Sequence, residues 1–147
     1  MLKENVEILL VEDNPADVIL TLRALQKKVA NQIHVVRDGA EALDFLFCQG
    51  VYSGRNPSTP KVVLLDMKLP KVNGLEVLRQ IRSDDRTKLL PVIMLTSSKE
   101  QEDIIASYKL HINSYIQKPV DFKQFEETVT QLGLYWMVVN QVPLLQR

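Results

Sequence analysis

The sequence predicts a doubly wound α/β fold, in which five helices cover both faces of one five-stranded parallel sheet. Along the 147 residues, short apolar segments of strand length alternate with segments of helical periodicity. The segment at 61–66 is an unbroken apolar run between a lysine and an aspartate, which is typical of a strand buried on both faces. Right-handed crossovers between parallel strands place helices on both faces, and we expect the strand order 2-1-3-4-5.

The first strand, within 6–13, leads into a helix that we expect to begin at Asn14 and Pro15. Asparagine is a favourable N-cap, and proline is favoured at the first helical position. Asp17 then lies in the first turn, next to the positive end of the helix dipole. The following apolar residues recur at helical spacing and form one buried face, made of Val18, Leu22, Leu25 and Val29.

A short second strand at 33–36 and the turn Asp38-Gly39 precede the second helix. Two glycines and two prolines interrupt every periodicity at 50–60, so we expect a loop there. The later elements continue the alternation: a central strand at 61–66, a third helix over 75–83, a fourth strand from 92, a fourth helix over 100–110 with Ser98 as N-cap, a fifth strand over 113–116 and a last helix from 122. This arrangement is flavodoxin-like.

Length and composition indicate one domain covering 1–147, with 134–147 as a C-terminal extension of the last helix and a tail. The 18 basic and 18 acidic residues balance. The sequence contains no run of lysine or arginine, so we expect no direct nucleic-acid partner. No apolar stretch has the length of a membrane span, and the N-terminus turns polar at once. A single cysteine, Cys48, excludes an internal disulfide, so we expect a cytoplasmic protein without membrane contact.

Polar side chains follow four of the predicted strands, at the point where each strand ends. In open parallel sheets, ligands bind at the carboxyl ends of the strands. We therefore expect one small pocket at that edge of the sheet, formed by Glu12, Asp13, Asp66, Thr96 and Lys118.

Three neighbouring carboxylates cannot all stay ionised without a cation, so this pocket predicts a divalent metal held by oxygen ligands, with Mg²⁺ as the natural candidate. Asp13, Asp66, the backbone carbonyl of Lys68 and a water held by Glu12 would supply its ligands. A lysine and a threonine hydroxyl suit the oxygens of a phosphoryl group. Asp66 is then the remaining nucleophile and could form an aspartyl phosphate.

Each of these residues also has a purely structural interpretation. Asp66 could cap a strand end, and the acidic pair Glu12 and Asp13 could serve the following helix N-terminus. Thr96 could be an ordinary hydroxyl at a strand end, and Lys118 a solvated amine. Their joint placement at one sheet edge favours a functional site.

Two other function classes compete with a phosphoacceptor switch. A Mg²⁺-dependent aspartyl-phosphate hydrolase uses a similar pocket but typically carries a second acid two positions after its nucleophile, where this chain has Lys68. A flavodoxin-type carrier needs a hydroxyl-rich phosphate loop after the first strand. The segment EDNPAD at 12–17 would repel a cofactor phosphate instead.

The chain resembles the response-regulator receiver domains of two-component signalling, in the single-domain, chemotaxis-regulator-like form, over roughly 4–134. The resemblance implies a phosphoprotein switch that is not an enzyme beyond self-phosphorylation and autodephosphorylation, with a sensor histidine kinase and an unidentified downstream protein as partners. The implied roles are Glu12 and Asp13 as the metal-binding pair, Asp66 as phosphoacceptor, Thr96 as switch hydroxyl, Tyr115 as switch aromatic, Lys118 as phosphate-contacting lysine and Pro119 after a cis peptide bond.

Narrower features are similar to the small response regulators partnered with bacterial phytochromes, notably cyanobacterial ones. They are the long loop at 50–60, the segment SYKLHINSYIQKPV at 107–120 and the aromatic extension after the last helix. Lys68 departs from the smaller or polar residues that are more frequent at its position in the family. We therefore expect an altered rate of dephosphorylation rather than altered chemistry.

The apolar tail predicts a homodimer. Residues 134–139 are apolar at consecutive positions, so a helix there is apolar all round, and one sheet covers only one side of it. An uncovered apolar patch on this scale usually marks an interface. We expect a two-fold dimer on the fourth helix, fifth strand and last helix, and the alternative is a tail folded back over its own domain. The expected interface residues are Ile104, Ile105, Tyr108, Tyr135 and Trp136.

Overall fold

The computed structural model describes residues 6–28 and 32–143, with the side chains of 27 and 28 excepted. Val29, which we assigned to the first helix, and the tail residues 144–147 lie outside this part of the chain. The described elements are β1 Ile8–Val11, α1 Pro15–Lys28, β2 Ile33–Val36, α2 Gly39–Leu46, a 3₁₀ turn Gly50–Tyr52, β3 Val62–Leu65, α3 Gly74–Ser83, β4 Val92–Thr96, α4 Gln101–Lys109, β5 Ser114–Gln117, α5 Phe122–Leu134 and a π-helical segment Tyr135–Val139.

The five strands form one parallel sheet in the order β2-β1-β3-β4-β5, so the predicted fold class is confirmed. The register decides which strand ends meet. Val11 of β1 pairs with Leu65 of β3, and the next residue of each strand is an acid, Glu12 and Asp66 respectively. The two acids therefore leave the sheet side by side at its carboxyl edge.

The core consists of two apolar clusters, one on each face of the sheet. Successive residues of β3 alternate between them, because strand side chains point to opposite faces. Val63 and Leu65 belong to one cluster, and Val62 and Leu64 to the other. All four side chains are buried, as expected for a central strand covered on both faces.

The loop at 50–60 is more ordered than its composition predicts. The buried Arg55 donates from Nε to the carbonyl of Phe45 at 2.9 Å, and its guanidinium lies 4.0 Å from the Phe45 ring centroid. Tyr52 donates its hydroxyl proton to Glu41 at 2.7 Å and lies 2.8 Å from Nε2 of His34. These contacts hold the loop against α2 and β2.

The expected N-cap of the fourth helix is wrong. α4 begins at Gln101, and Glu100 precedes it without a side-chain hydrogen bond to the helix. The Ser98 hydroxyl instead donates to Asp103 at 2.6 Å and accepts from the backbone N–H of Glu100 at 3.3 Å. Ser98 thus connects the β4–α4 loop to the first turn of α4.

The last helix changes its geometry after Leu134. After Leu134 the chain widens into the π-helical segment, which closes with a hydrogen bond from the N–H of Asn140 to the carbonyl of Tyr135 at 2.6 Å. The wider turn changes the spacing of the apolar stripe. Trp136 therefore packs partly against the core, while Tyr135 and Val139 remain exposed.

Within the described residues, no helix is both long and apolar enough to cross a membrane.

Candidate functional site

Acidic side chains meet at the carboxyl edge of the sheet, as the sequence predicts. Glu12 and Asp13 follow β1, and Asp66 follows β3. One oxygen from each of these three carboxylates lies within 4.8 Å of the other two. Glu12 and Asp66 are buried, whereas Asp13 is exposed at the rim. The arrangement concentrates negative charge where solvent cannot fully screen it.

Lys118, one residue beyond β5, contacts two of these acids and a further carboxylate, that of Asp17. Its ammonium nitrogen is 2.6 Å from Glu12 Oε1, 2.8 Å from Asp17 Oδ2 and 2.9 Å from Asp66 Oδ2. The backbone N–H of Lys118 donates to the carbonyl of Thr96 at 2.7 Å, which attaches its main chain to the end of β4. An ammonium has three N–H donors, and here each meets a different carboxylate.

Burial and charge shift the pKa values of this group. Burial raises the pKa of Glu12 to about 7, aided by the nearby Asp66 charge and opposed by the hydrogen bond from Lys118. One lysine shared among three acids cannot offset the desolvation of them all. Burial by itself lowers the pKa of Lys118, but its bonds to Asp17 and Glu12 outweigh this and raise the pKa above its usual value. Lys118 therefore stays protonated.

The side chain of Asp66 is mostly buried. Its Oδ1 accepts a long bond from the backbone N–H of Lys68 at 3.4 Å, and its side chain is 10% exposed. The β3–α3 loop folds tightly over the strand end at Gly74, where a Cβ atom would lie 2.2 Å from the carbonyl oxygen of Asp66. Only glycine permits this close approach. The loop thereby holds Lys68 next to the carboxylate.

Thr96 is fully buried at the end of β4, and its hydroxyl accepts from the backbone N–H of Ser98 at 3.3 Å. Tyr115 on β5 is half-buried, and its hydroxyl donates to the backbone carbonyl of Ser98 at 3.0 Å. Both side chains therefore contact the same short loop between β4 and α4. Burial raises the pKa of Tyr115, so its hydroxyl remains a proton donor at neutral pH.

The expected cis peptide bond before Pro119 is wrong, because the described residues contain no cis peptide bond. The trans form is the more stable one for X–Pro bonds, by about 0.5–1 kcal/mol. With the trans bond, the ammonium of Lys118 still contacts Glu12, Asp17 and Asp66.

Asp17 is the residue of this site that the sequence analysis missed. Its place in the first turn of α1 indicated only a favourable interaction with the helix dipole. The structure brings its carboxylate to Lys118, 101 residues later in the chain. The sequence contained a signal for this position. A residue three positions after an N-cap lies in the first helical turn, and that turn follows directly after the carboxyl end of the preceding strand.

The three-carboxylate cluster fits a divalent metal. Oxygens that lie within 4.8 Å of one another need little movement to coordinate one ion at the short distances that Mg²⁺ requires. An open cavity of about 470 Å³ adjoins the cluster, lined by Asp13, Met67, Lys68, Leu69, Pro70, Asn73, Leu75 and Asp103. It provides space for water ligands of such an ion.

The fold and this site together define the receiver domain of a two-component response regulator. The chain belongs to this family: the family model described as "Response regulator receiver domain" matches residues 8–130.

Its relatives include cyanobacterial phytochrome regulators. Response regulator Rcp1 from Synechocystis is 38% identical over 92% of each chain, and the Mn²⁺-bound form of Rcp1 superimposes with a TM-score of 0.88 over 94% of this chain and 99% of that one. The phosphorylated cyanobacterial phytochrome response regulator RcpA is 40% identical, with a TM-score of 0.89 over 95% of this chain and 99% of the other. The probable methanogenesis regulatory protein FilR2 from Methanothrix harundinacea is 42% identical over 92% of this chain and 86% of its own.

Proposed function

We propose that this protein is a phosphoacceptor switch that receives a phosphoryl group on Asp66 from a sensor histidine kinase. The observation that carries the proposal is the contact of Asp66 with Lys118 at 2.9 Å, inside a cluster of carboxylates fit for a metal. An Asp66 oxygen attacks the phosphorus, and the bond from phosphorus to the donor breaks with its electron pair leaving on the donor. Lys118 then neutralises negative charge on the phosphoryl oxygens.

Asp13, Asp66 and the backbone carbonyl of Lys68 would hold Mg²⁺ directly, and Glu12 would hold one of its water ligands. When bound, the ion supplies positive charge that draws the phosphoryl oxygens to the site. The Mn²⁺-bound form of the relative Rcp1 supports a divalent ion as cofactor.

The test is phosphorylation by a small donor. Acetyl phosphate with Mg²⁺ should add one phosphoryl mass to the wild type, and EDTA should prevent it. Asp66→Asn should remain unmodified under the same conditions, with Asp85→Asn, an exposed acid outside the site, as the matched control. A phosphoryl group that persists on Asp66→Asn would falsify the assignment of the acceptor.

Output is proposed to pass through Thr96 and Tyr115. Both contact the β4–α4 loop at Ser98, so a phosphoryl group that attracts the Thr96 hydroxyl would also change the loop that Tyr115 binds. The bistable element is the loop together with α4 and β5. Signal would leave the chain through a partner protein that reads this surface.

We also propose a homodimer, formed by α4, β5 and the end of α5. Ile105, Tyr108 and Tyr135 are each about half exposed, and β5 is an edge strand of the sheet. A second copy would cover these apolar side chains by two-fold symmetry. Ile104 and Trp136 are only partly buried within their own chain and would contribute the rest of their surface.

The kinase is proposed to be a phytochrome, because cyanobacterial phytochrome regulators are among the relatives with the highest structural similarity. A histidine kinase needs ATP, so the exchange would take place in the cytoplasm. We further propose that 1–147 acts as one receiver domain, with 134–147 as its extension. Genomic proximity of a phytochrome kinase gene would support this pairing, and phosphotransfer from that kinase would test it.

A further inference from the structure

Asp17 differs from the other acids around Lys118 in what else it can bind. Glu12 and Asp66 belong to the cluster that can hold a metal, together with Asp13. Asp17 lies outside that cluster, and its side chain is 23% exposed. A cation that draws the oxygens of Glu12 and Asp66 therefore competes with two of the three contacts of Lys118. It does not compete with the contact to Asp17.

The position of Asp17 is set by the start of α1. The side-chain oxygen of Asn14 accepts from the backbone N–H groups of Ala16 and Asp17, at 2.9 and 3.2 Å. This cap fixes the first helical turn and with it the backbone of Asp17. The carboxylate of Asp17 thus reaches Lys118 from a rigid helix rather than from a loop.

Lys118, in contrast, has a flexible side chain. Its backbone is held by Thr96, but four carbon atoms separate that backbone from the ammonium. The contacts of the ammonium group therefore determine where its positive charge lies. Glu12 and Asp66 contact the ammonium from the ends of β1 and β3, and Asp17 contacts it from α1. Of these three acids, only Asp17 has no predicted metal role.

We infer that Asp17 is a positioning residue, which holds the ammonium of Lys118 beside Asp66 while Glu12 and Asp13 bind the metal. The inference rests on the proposed phosphoacceptor function. Asp17 itself touches neither the metal nor the reacting phosphorus. Its effect is on the direction of the lysine, whose positive charge must lie at the phosphoryl oxygens when the bond from Asp66 to phosphorus forms and the donor leaves with its electron pair.

The test compares Asp17→Ala and Asp17→Asn with the wild type. The rate of phosphorylation by acetyl phosphate, at saturating Mg²⁺, should fall about tenfold in Asp17→Ala. Asp17→Asn keeps an oxygen that accepts from Lys118, so it should restore part of the rate, to about threefold below wild type, because bonds to a neutral acceptor are weaker. Glu127→Ala, which removes an exposed acid from α5, should phosphorylate at the wild-type rate.

Two further measurements separate positioning from structural support. The Mg²⁺ dissociation constant, measured by calorimetry, should change less than twofold in Asp17→Ala, because Asp17 is not a ligand. The ¹⁵N–¹H signal of the Lys118 ammonium in the Mg²⁺-bound protein should be sharp in the wild type and broadened in Asp17→Ala, and a merely structural residue would leave it unchanged.

The outcomes distinguish this inference from the proposed function. Asp17→Ala that phosphorylates at the wild-type rate, or that loses Mg²⁺ affinity more than tenfold, overturns the positioning role alone. A wild type that takes up no phosphoryl group overturns both. A graded loss in the order wild type, Asp17→Asn and Asp17→Ala, with unchanged Mg²⁺ affinity, establishes the role.

Discussion

The hydroxyl of Tyr115 on β5 donates a hydrogen bond to the backbone carbonyl of Ser98 in the β4–α4 loop, over 3.0 Å. The ring is therefore already turned toward the protein and half-buried, with its apolar part packed against the core cluster on that face. This contact joins the end of β4, where Thr96 lies, to the edge strand of the sheet. Under the proposed function, a phosphoryl group at Asp66 would act on this preformed link.

Tyr115→Phe should uncouple the site from α4. The variant keeps the ring but loses the bond to Ser98, so beryllofluoride, a phosphoryl mimic, should still bind with Mg²⁺. The change in amide hydrogen exchange that beryllofluoride causes over 97–117 in the wild type should become smaller. Equal changes in Tyr115→Phe and wild type would show that this hydrogen bond does not transmit the signal, and Tyr108→Phe, with an exposed ring on α4, is the matched control.

The stability of the metal-free protein should fall as pH rises from about 4.5 to about 7. Burial raises the pKa of Glu12 from 4.5 to about 7, so in this range the folded protein holds a proton that the unfolded chain has released. The contribution of the protonated Glu12 carboxyl to stability is fully present below its pKa in the unfolded chain. It is lost as the pH rises through its pKa in the folded protein. The loss amounts to at most about 3 kcal/mol.

Urea unfolding in EDTA at several pH values measures this effect. Glu12→Gln cannot titrate, so its stability should vary less over the same range than that of the wild type. Parallel pH profiles for the two proteins would contradict the raised pKa. Saturating Mg²⁺ should reduce the wild-type loss above neutral pH, because the ion compensates the ionised carboxylates.

Lys68→Asn should shorten the lifetime of the aspartyl phosphate several-fold. Lys68 follows Asp66 by two residues, is exposed and lines the cavity from which a hydrolytic water would approach. Its ammonium can shield the phosphoryl group, which the shorter asparagine cannot. Loss of ³²P label after removal of the donor gives the lifetime. Lys71→Asn, in the same loop and paired with Asp38 at 3.5 Å, should decay like the wild type, and a Lys68→Asn decay equal to or slower than wild type would reject the protective role.

Tyr135→Glu should weaken the proposed homodimer. Tyr135 is half exposed in the π-helical segment, so a charge there opposes burial in an interface without disturbing the core. Trp136 is less suitable, since it packs partly against its own domain. Sedimentation velocity at tens of micromolar, with and without beryllofluoride, gives the association state, for which a micromolar dissociation constant corresponds to about 8 kcal/mol. Leu89→Glu, an exposed apolar residue of the α3–β4 loop, is the control, and a wild type that is monomeric in both states would end the dimer proposal.

Arg82→Ala should destabilise the protein by about 2–4 kcal/mol. From α3 the guanidinium donates to the carbonyls of Lys88, Leu90, Leu110 and His111 and to the side chain of Asn113. These contacts join the end of α3 to the starts of β4 and β5. Arg79→Ala, three residues earlier but exposed and paired with Glu76 on its own helix, should cost much less stability than Arg82→Ala in the same urea titration. Equal losses in the two variants would contradict the joining role of Arg82.

The sequence determined the sheet and the residues at its functional edge. Strand-length apolar runs that alternate with helical periodicity predict one parallel sheet. In a parallel sheet the residues after β1, β3 and β5 emerge at the same edge. Glu12, Asp66 and Lys118 could therefore be placed together without coordinates, because the backbone pattern alone brings them there.

Only the tertiary structure decided the contacts that depend on side-chain reach between distant elements. The place of Asp17 in the first turn of α1 indicates which end of the sheet it is near, but its 2.8 Å contact with Lys118 depends on the reach of two side chains that are 101 residues apart in the chain. The order of the 50–60 loop rests on the buried Arg55, whose partners lie on α2 and in the loop itself. At Tyr135 the helix widens into the π-helical segment, and Trp136 of that segment packs partly against the core. Local periodicity reports which face of an element is apolar, whereas these features depend on which other surface that face meets.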